Sequence, residues 1–207
     1  MAHAHPVFAA FYRWFGGLTD RAGFAEHRRR LLAEARGVVV EIGAGTGLNF
    51  PHYPAGVEVM ATEPDPHMLK GARRAAPRAR AKLTLHQAPA ESLPLPSGSA
   101  DTVVSTLVLC SVPDQAAALA EVDRVLKPGG RLLLVEHVRA GDPALARDQD
   151  RRERSQTRFA GGCHPNRDTL AAVVAAGFDT GAVEPVTLPG MRITRPGIAG
   201  VARKPVG

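Results

Sequence analysis

Three glycines at alternate positions, Gly43, Gly45 and Gly47, break the β-branched run of "VVVEIGAGTGLNF" (Val38 to Phe50), and an acid, Glu41, stands just ahead of them. Glycines that follow a strand let the backbone turn tightly and approach a ligand closely, which any nucleotide-binding turn requires. Further along, Glu63 closes a second apolar run and offers a carboxylate to a pair of ribose hydroxyls. The spacing is G-x-G-x-G, and Leu48 stands where a dinucleotide fingerprint would carry its third glycine.

A dinucleotide sets a pyrophosphate against a helix N-terminus, whereas S-adenosylmethionine has no phosphate and presents an amino acid and a cationic sulfonium. An acid at the head of the loop suits the second ligand, so S-adenosylmethionine is the expected cofactor. A nicotinamide dehydrogenase is disfavoured again by the tyrosines, Tyr12 and Tyr53, which form no recognisable Tyr/Lys pair.

Other side chains could act on an acceptor. His137 follows the fifth apolar run and is the first candidate for a general base; an imidazole that fixes a backbone loop is an equal reading. Cys163-His164 has the residue types of a nucleophile or a metal pair, but no further ligand residue stands at metal-site spacing. No metal is expected, and Cys163 and His164 are read as lining a substrate pocket. Cys110 lies in an apolar run and reads as a small buried hydrophobe.

These residues need elements to position them. Short apolar runs alternate with helical spacing from Val38 onward, the signature of an α/β, Rossmann-like doubly wound sheet, mostly parallel. Strands are expected at 38–42, 57–62, 83–87, 101–105 and 131–136. Asp65-Pro66 opens a helix, and Leu119, Val122, Val125 and Leu126 form the stripe of another that Lys127-Pro128-Gly129-Gly130 ends. A polar helix capped by Asp142 is expected over the ligand face, then a helix from Asn166 to about Ala176. "DTGAVEPVTLP" and "GIAGVARK" read as a C-terminal antiparallel strand pair.

The chain of 207 residues reads as one domain: an N-terminal helical cap segment (1–36), a cofactor-binding core (37–138), a substrate-side insertion (139–165) and a C-terminal helix and strands (166–207). Half of the ten aromatics crowd into Phe8 to Phe15, and a helix is expected from about Asp20 to Ala35. Phe11 and Trp14 are candidates for the acceptor pocket.

The net charge of +6 comes from 26 Lys and Arg, nearly all arginine, against 20 acids. The clusters at 28–30, 73–80 and 151–158 fit solvated helix faces, and aromatic residues scarcely interleave with them, so nucleic acid is not an expected partner. Two cysteines make no disulfide framework, no secretory leader is apparent, and no apolar run reaches the roughly 20 residues of a spanning helix; a cytoplasmic setting is expected.

With "APAESLPLPSGSADTVVSTLVLCSV" and "LKPGGRLLLVEHV" added, the order of parts closely resembles class I S-adenosylmethionine-dependent methyltransferases from Val38 to roughly Val138. "STLVLCSVPD", "VEHV" and "GGCHPNRDT" resemble the small-molecule subfamily that includes the mammalian alkyl-thiol methyltransferases. The resemblance implies that Glu41, Gly43, Ala44, Gly45 and Thr46 serve the methionine end, Glu63 and Pro64 the ribose, Ala90 and Glu91 the adenine edge, and that Leu107 lies near the sulfonium. Pro89 departs from the wider class, where many members carry an adenine-binding Asp, and Ser92 replaces the Asp of the thiol enzymes. The implied activity is methyl transfer to a small, fairly apolar acceptor, a thiol or sulfide first. A quinone- or phenol-type oxygen or carbon acceptor, or a noncatalytic S-adenosylmethionine-binding module, are the alternatives.

Overall fold

The computed structural model describes residues 17–206. Seven strands form one sheet: β1 (Val38–Ile42), β2 (Glu58–Thr62), β3 (Lys82–His86), β4 (Ala100–Thr106), β5 (Leu126–His137), β6 (Asp179–Thr187) and β7 (Pro196–Arg203). Their order is β3-β2-β1-β4-β5-β7-β6. β1 to β5 are parallel, and β7 runs antiparallel to both β5 and β6, as the doubly wound reading with an antiparallel C-terminal pair expects. The helices are α1 (Ala25–Leu32), α2 (Pro66–Ala75), α3 (Gln115–Val125), α4 (Pro143–Phe159) and α5 (Thr169–Ala175).

The central strands read as continuous apolar runs because both faces of the sheet are covered. Along β5 the side chains alternate: Leu132 and Leu134 pack with Leu119, Val122 and Val173 on one face, while Leu133 and Val135 join Leu31, Leu32 and Ala72 on the other. Burying side chains of this size stabilises the fold by about 1.5 to 3 kcal/mol each.

Helices α2 to α5 are capped by side-chain carboxylates. Asp65 accepts from the N–H groups of His67 and Met68, Asp114 from Ala117, and Asp142 from Leu145. The last helix corrects the sequence reading, since Asp168 and not Asn166 caps α5, accepting from Ala171; Asn166 donates to Asp150 instead. α3 likewise ends at Val125: Leu126 is extended and pairs with Ala100, so Lys127 reaches Asp101 at 2.6 Å and is no last-turn cation. The N-terminal helix is also not continuous, because a π turn at Asp20–Phe24 with Gly23 at φ 116° precedes α1.

Arg28 departs from the solvated-face reading of its cluster. It is buried, donates to Asp20 at 3.0 Å and to Asn49 Oδ1 at 2.6 Å, and lies over the Phe24 ring. The aromatic cluster from Phe8 to Phe15, with Phe11 and Trp14, lies outside the described residues.

Candidate functional site

The carboxyl ends of β1, β2, β4 and β5 gather almost all the residues singled out from the sequence, at the end of an open α/β sheet where ligands bind. β1 delivers Glu41 and the glycine loop. Gly43 has φ 57°, and a Cβ there would meet Val108 at 2.7 Å, so this position requires glycine both for its backbone and for the close approach of the loop after β4. No α-helix follows the loop. The segment between β1 and β2 contains only a 3-10 turn at Phe50–His52, with Pro51 inside it and Pro54 just after, so the helix N-terminus on which a dinucleotide rests its pyrophosphate is missing here.

The loop is stitched to the end of β2. Ala44 N–H donates to the Thr62 carbonyl at 2.8 Å, and the Glu63 carboxylate accepts from Gly45 N–H at 2.8 Å and Asp65 N–H at 2.9 Å. Burial raises the pKa of Glu63 to about 6 against those two bonds. Glu41 lies deeper, accepting from Asn49 Nδ2 and the Tyr53 hydroxyl, each at 2.9 Å. Burial lifts its pKa to about 7, although Tyr53, Asn49 and then the Arg28 charge pull the other way. An Asp20–Arg28–Asn49–Glu41 chain thus runs under the loop, a buried network invisible in the linear sequence. Thr46 Oγ1 is the one buried side-chain oxygen or nitrogen among the described residues with no hydrogen-bond partner, and it sits within the loop. Such an atom fits a ligand that supplies the missing bond.

Pro64 leads into the α2 cap, and its carbonyl accepts from Gln87. Ala90 is buried in the core face of the loop after β3, and Glu91 accepts from Asp114 N–H at 3.3 Å. Leu107, directly after β4, has φ 59°, the one positive φ at a non-glycine among the described residues; its N–H donates to the Val135 carbonyl. A strained residue of this kind costs of order 1–3 kcal/mol and persists only where its surroundings impose it. Residues on either side of Leu107 are held by Glu136, which the sequence reading passed over. Fully buried at the end of β5, it accepts from Ser105 Oγ at 2.6 Å and from the N–H groups of Val108, Leu109 and Cys110 at 2.9 to 3.1 Å. An acid inside the apolar run "LLLVEHV" was the available signal, because a buried carboxylate must find donors.

His137, the next residue, meets the two cysteines and not His164. Its Nδ1 lies 3.4 Å from Cys163 Sγ and 3.8 Å from Cys110 Sγ, and the two sulfurs are 3.8 Å apart. Both thiols are free and buried. The bond between them, then burial, pushes Cys110 well above the ordinary thiol pKa, while the same bond lowers Cys163. Cys110 is therefore no isolated core hydrophobe: Cys110, His137 and Cys163 bring one possible ligand atom each to within 4.8 Å of one another, a grouping that spacing along the chain did not show. The Cys163-His164 pairing also separates, since the His164 ring turns to Glu153 at 2.8 Å while its N–H holds the Cys110 carbonyl. Spacing along the chain could not reveal the cluster because its members sit on three segments. The adjacency of β4 and β5 and a Gly161-Gly162 turn with both residues at positive φ bring them together.

Residues 40–134 match the model of the methyltransferase domain family. Around that span the chain resembles class I S-adenosylmethionine-dependent methyltransferases and, among them, the thiol S-methyltransferases. It is 40% identical over 123 residues to the human thiol S-methyltransferase TMT1B, an alignment covering 54% of this chain and 50% of that protein. A second relative is the ubiquinone/menaquinone biosynthesis C-methyltransferase UbiE of Syntrophotalea carbinolica, 35% identical over 133 residues, 63% of this chain and 56% of the relative. The chain spans about half the length of the curated relatives it matches. A solved S-adenosylmethionine-dependent methyltransferase from Thermotoga maritima superposes with a TM-score of 0.70 at 25% identity, covering 99% of this chain and 100% of that one. No helix among the described residues is long and apolar enough to cross a membrane.

Proposed function

We propose that the chain transfers the methyl group of S-adenosylmethionine to a small, fairly apolar acceptor, and that the acceptor is a thiol or sulfide. The glycine loop tied to Glu63, with the Thr46 hydroxyl left without a partner inside it, is the observation that carries the cofactor half. When bound, the cofactor supplies an activated methyl carbon. In this reading Glu63, with Pro64 beside it, receives the ribose hydroxyls, Gly43 to Thr46 follow the methionine end with Glu41 beneath them, and Ala90 and Glu91 flank the adenine. Leu107 borders the methyl group.

Methyl transfer is an in-line displacement, and orientation alone can supply roughly 7 to 11 kcal/mol of its acceleration. Few catalytic groups are needed. In this reading the acceptor side is formed by His137 at the end of β5 and Cys163 after the Gly161-Gly162 turn. A thiol with an ordinary pKa near 8.5 already carries some thiolate at neutral pH, so modest help from His137 suffices. Likeness to the thiol enzymes favours sulfur, and likeness to UbiE supports a quinone-type carbon or oxygen acceptor as the second reading. Two reduced thiols suit a reducing compartment, and the cytoplasm is the proposed setting.

The test is a panel of alkyl thiols, sulfide, phenols, catechols and quinols with methyl-labelled donor and the full chain. Label recovered in S-methyl thioethers is the expected result; label recovered only in phenols or quinols would favour the second reading, and none anywhere would reduce the protein to a binding module.

A further inference from the structure

We infer that Cys110, His137 and Cys163 form a zinc site with one open coordination position, and that this position takes the acceptor as its thiolate. The inference rests on the thiol reading proposed above. Tetrahedral zinc bonds sulfur at about 2.3 Å and imidazole nitrogen at about 2.0–2.1 Å, which sets ligand atoms about 3.8 Å apart from sulfur to sulfur and about 3.5 Å from sulfur to nitrogen. The observed separations are 3.8 Å between the sulfurs, and 3.4 and 3.8 Å from His137 Nδ1 to Cys163 and Cys110. The three donor atoms thus already occupy three corners of a zinc tetrahedron, without rearrangement of the chain.

Independent bonds hold those corners in place. Cys110 N–H donates to the buried Glu136 carboxylate, His164 N–H donates to the Cys110 carbonyl, and the Arg167 guanidinium clamps the carbonyls of Leu109 and Val112 at 2.9 and 2.8 Å. A Cβ at Gly162 would stand 2.9 Å from the Ser111 carbonyl oxygen, so the glycine turn lets the Cys163 segment come down onto the Cys110 loop. Supporting bonds of this kind around a ligand set are what fix ligand orientation in metal sites.

Three protein ligands and a fourth place for a small molecule are the mark of catalytic zinc, in contrast to closed four-ligand structural sites. Two thiolates and a neutral imidazole cancel the ion's charge, so a coordinated acceptor sulfur keeps its electron density. An acceptor thiol gives its proton to solvent on coordination. A lone pair of that sulfur then forms the new S–CH3 bond as the bond from the methyl carbon to the cofactor sulfonium breaks. The bonding pair returns to the cofactor sulfur, leaving S-adenosylhomocysteine, and the neutral thioether is a poor ligand that departs. His137 is a ligand in this scheme and needs no proton.

The experiment uses the full chain, purified under reductant, stripped with a chelator and reloaded with zinc or cobalt. One equivalent of zinc by elemental analysis is expected, together with a thiolate-to-cobalt charge-transfer band that shifts when an alkyl thiol is added without methyl donor. Cys163→Ala and His137→Gln should each weaken zinc on the order of 100- to 1000-fold in chelator competition. His164→Gln should retain full zinc. Because Cys163→Ala empties a buried position, the partly exposed His137 variant and far-ultraviolet circular dichroism of both keep the test independent of folding.

Failure to bind zinc while thiols are methylated would overturn the inference and leave the thiol reading standing. A chain that takes no zinc but closes a Cys110–Cys163 disulfide on mild oxidation would also overturn it. A cobalt band indifferent to thiols would remove the open position. Zinc bound with phenols as the sole acceptors would sink the thiol reading and, with it, the ion's part in transfer. A His137→Gln chain that keeps its zinc and whose deficit closes at high pH would make His137 a base and no ligand.

Discussion

Two carboxylates at the loop hold their protons unusually well, and each makes a pH-dependent expectation. Glu41 shifts from 4.5 to about 7, so the folded chain takes up its proton more readily than the unfolded chain. Its contribution to stability is complete below about 4.5 and is lost as pH rises through about 7, worth about 3 kcal/mol over the window at about 1.4 kcal/mol per pKa unit. Glu41→Gln, which has no proton to lose, should therefore lose less stability than the wild type between about pH 5 and about pH 8; urea titrations that show the same pH difference in both chains would refute this. Glu63, held at about 6, differs in facing the proposed ribose. Hydroxyl donors favour its ionised form, so cofactor binding should release protons, and affinity should rise as pH climbs through about 6; calorimetry at two pH values on either side checks the sign.

At the scale of elements, the loop after β4 is held by the end of β5. Glu136→Gln would set an amide N–H2 against at least one of four donors, with an expected loss of about 2 to 4 kcal/mol and a Tm lower by about 4 to 16 °C. A Tm within a degree or so of wild type would show that the loop holds itself. The strands themselves were legible from runs of Val, Leu and Ile, and the caps from Asp65 and Asp142, because these signals are local. Asp168 was missed because Asn166 has the same capping chemistry two residues earlier, and only the tertiary bond to Asp150 separates them. Leu126 looked helical by spacing, but pairing with Ala100 and the proline two residues on pull it into β5. The buried Arg28 and Glu136 escaped notice for one reason: charge in a sequence reads as surface until a partner far along the chain is known.

For the whole molecule, the sheet divides the work. In the proposed reading β1 and β2 serve the cofactor, and the ends of β4 and β5, with Cys163 from the segment between α4 and α5, serve the acceptor. The cofactor half was readable because its motif is contiguous from Glu41 to Gly47, with Glu63 one strand away. The sequence already pointed to His137 and Cys163 for the acceptor, but only the fold shows that they meet Cys110, the three lying 26 to 53 positions apart. The sequence reading assigns Phe11 and Trp14 to the acceptor pocket, so deleting residues 1 to 17 should raise KM for the acceptor several-fold and leave cofactor affinity unchanged. A deletion that lowers only thermal stability would make the segment ordinary packing.

What the glycine break holds decides the rest, and titration calorimetry on the full chain measures it directly. S-adenosylmethionine should bind one to one, NAD should give no binding heat, and Glu63→Ala should weaken S-adenosylmethionine roughly 30- to 1000-fold, the equivalent of about 2 to 4 kcal/mol for charge-assisted bonds to the ribose. Equal binding of NAD, or a folded Glu63→Ala chain with undiminished affinity, would contradict the assignment of this loop.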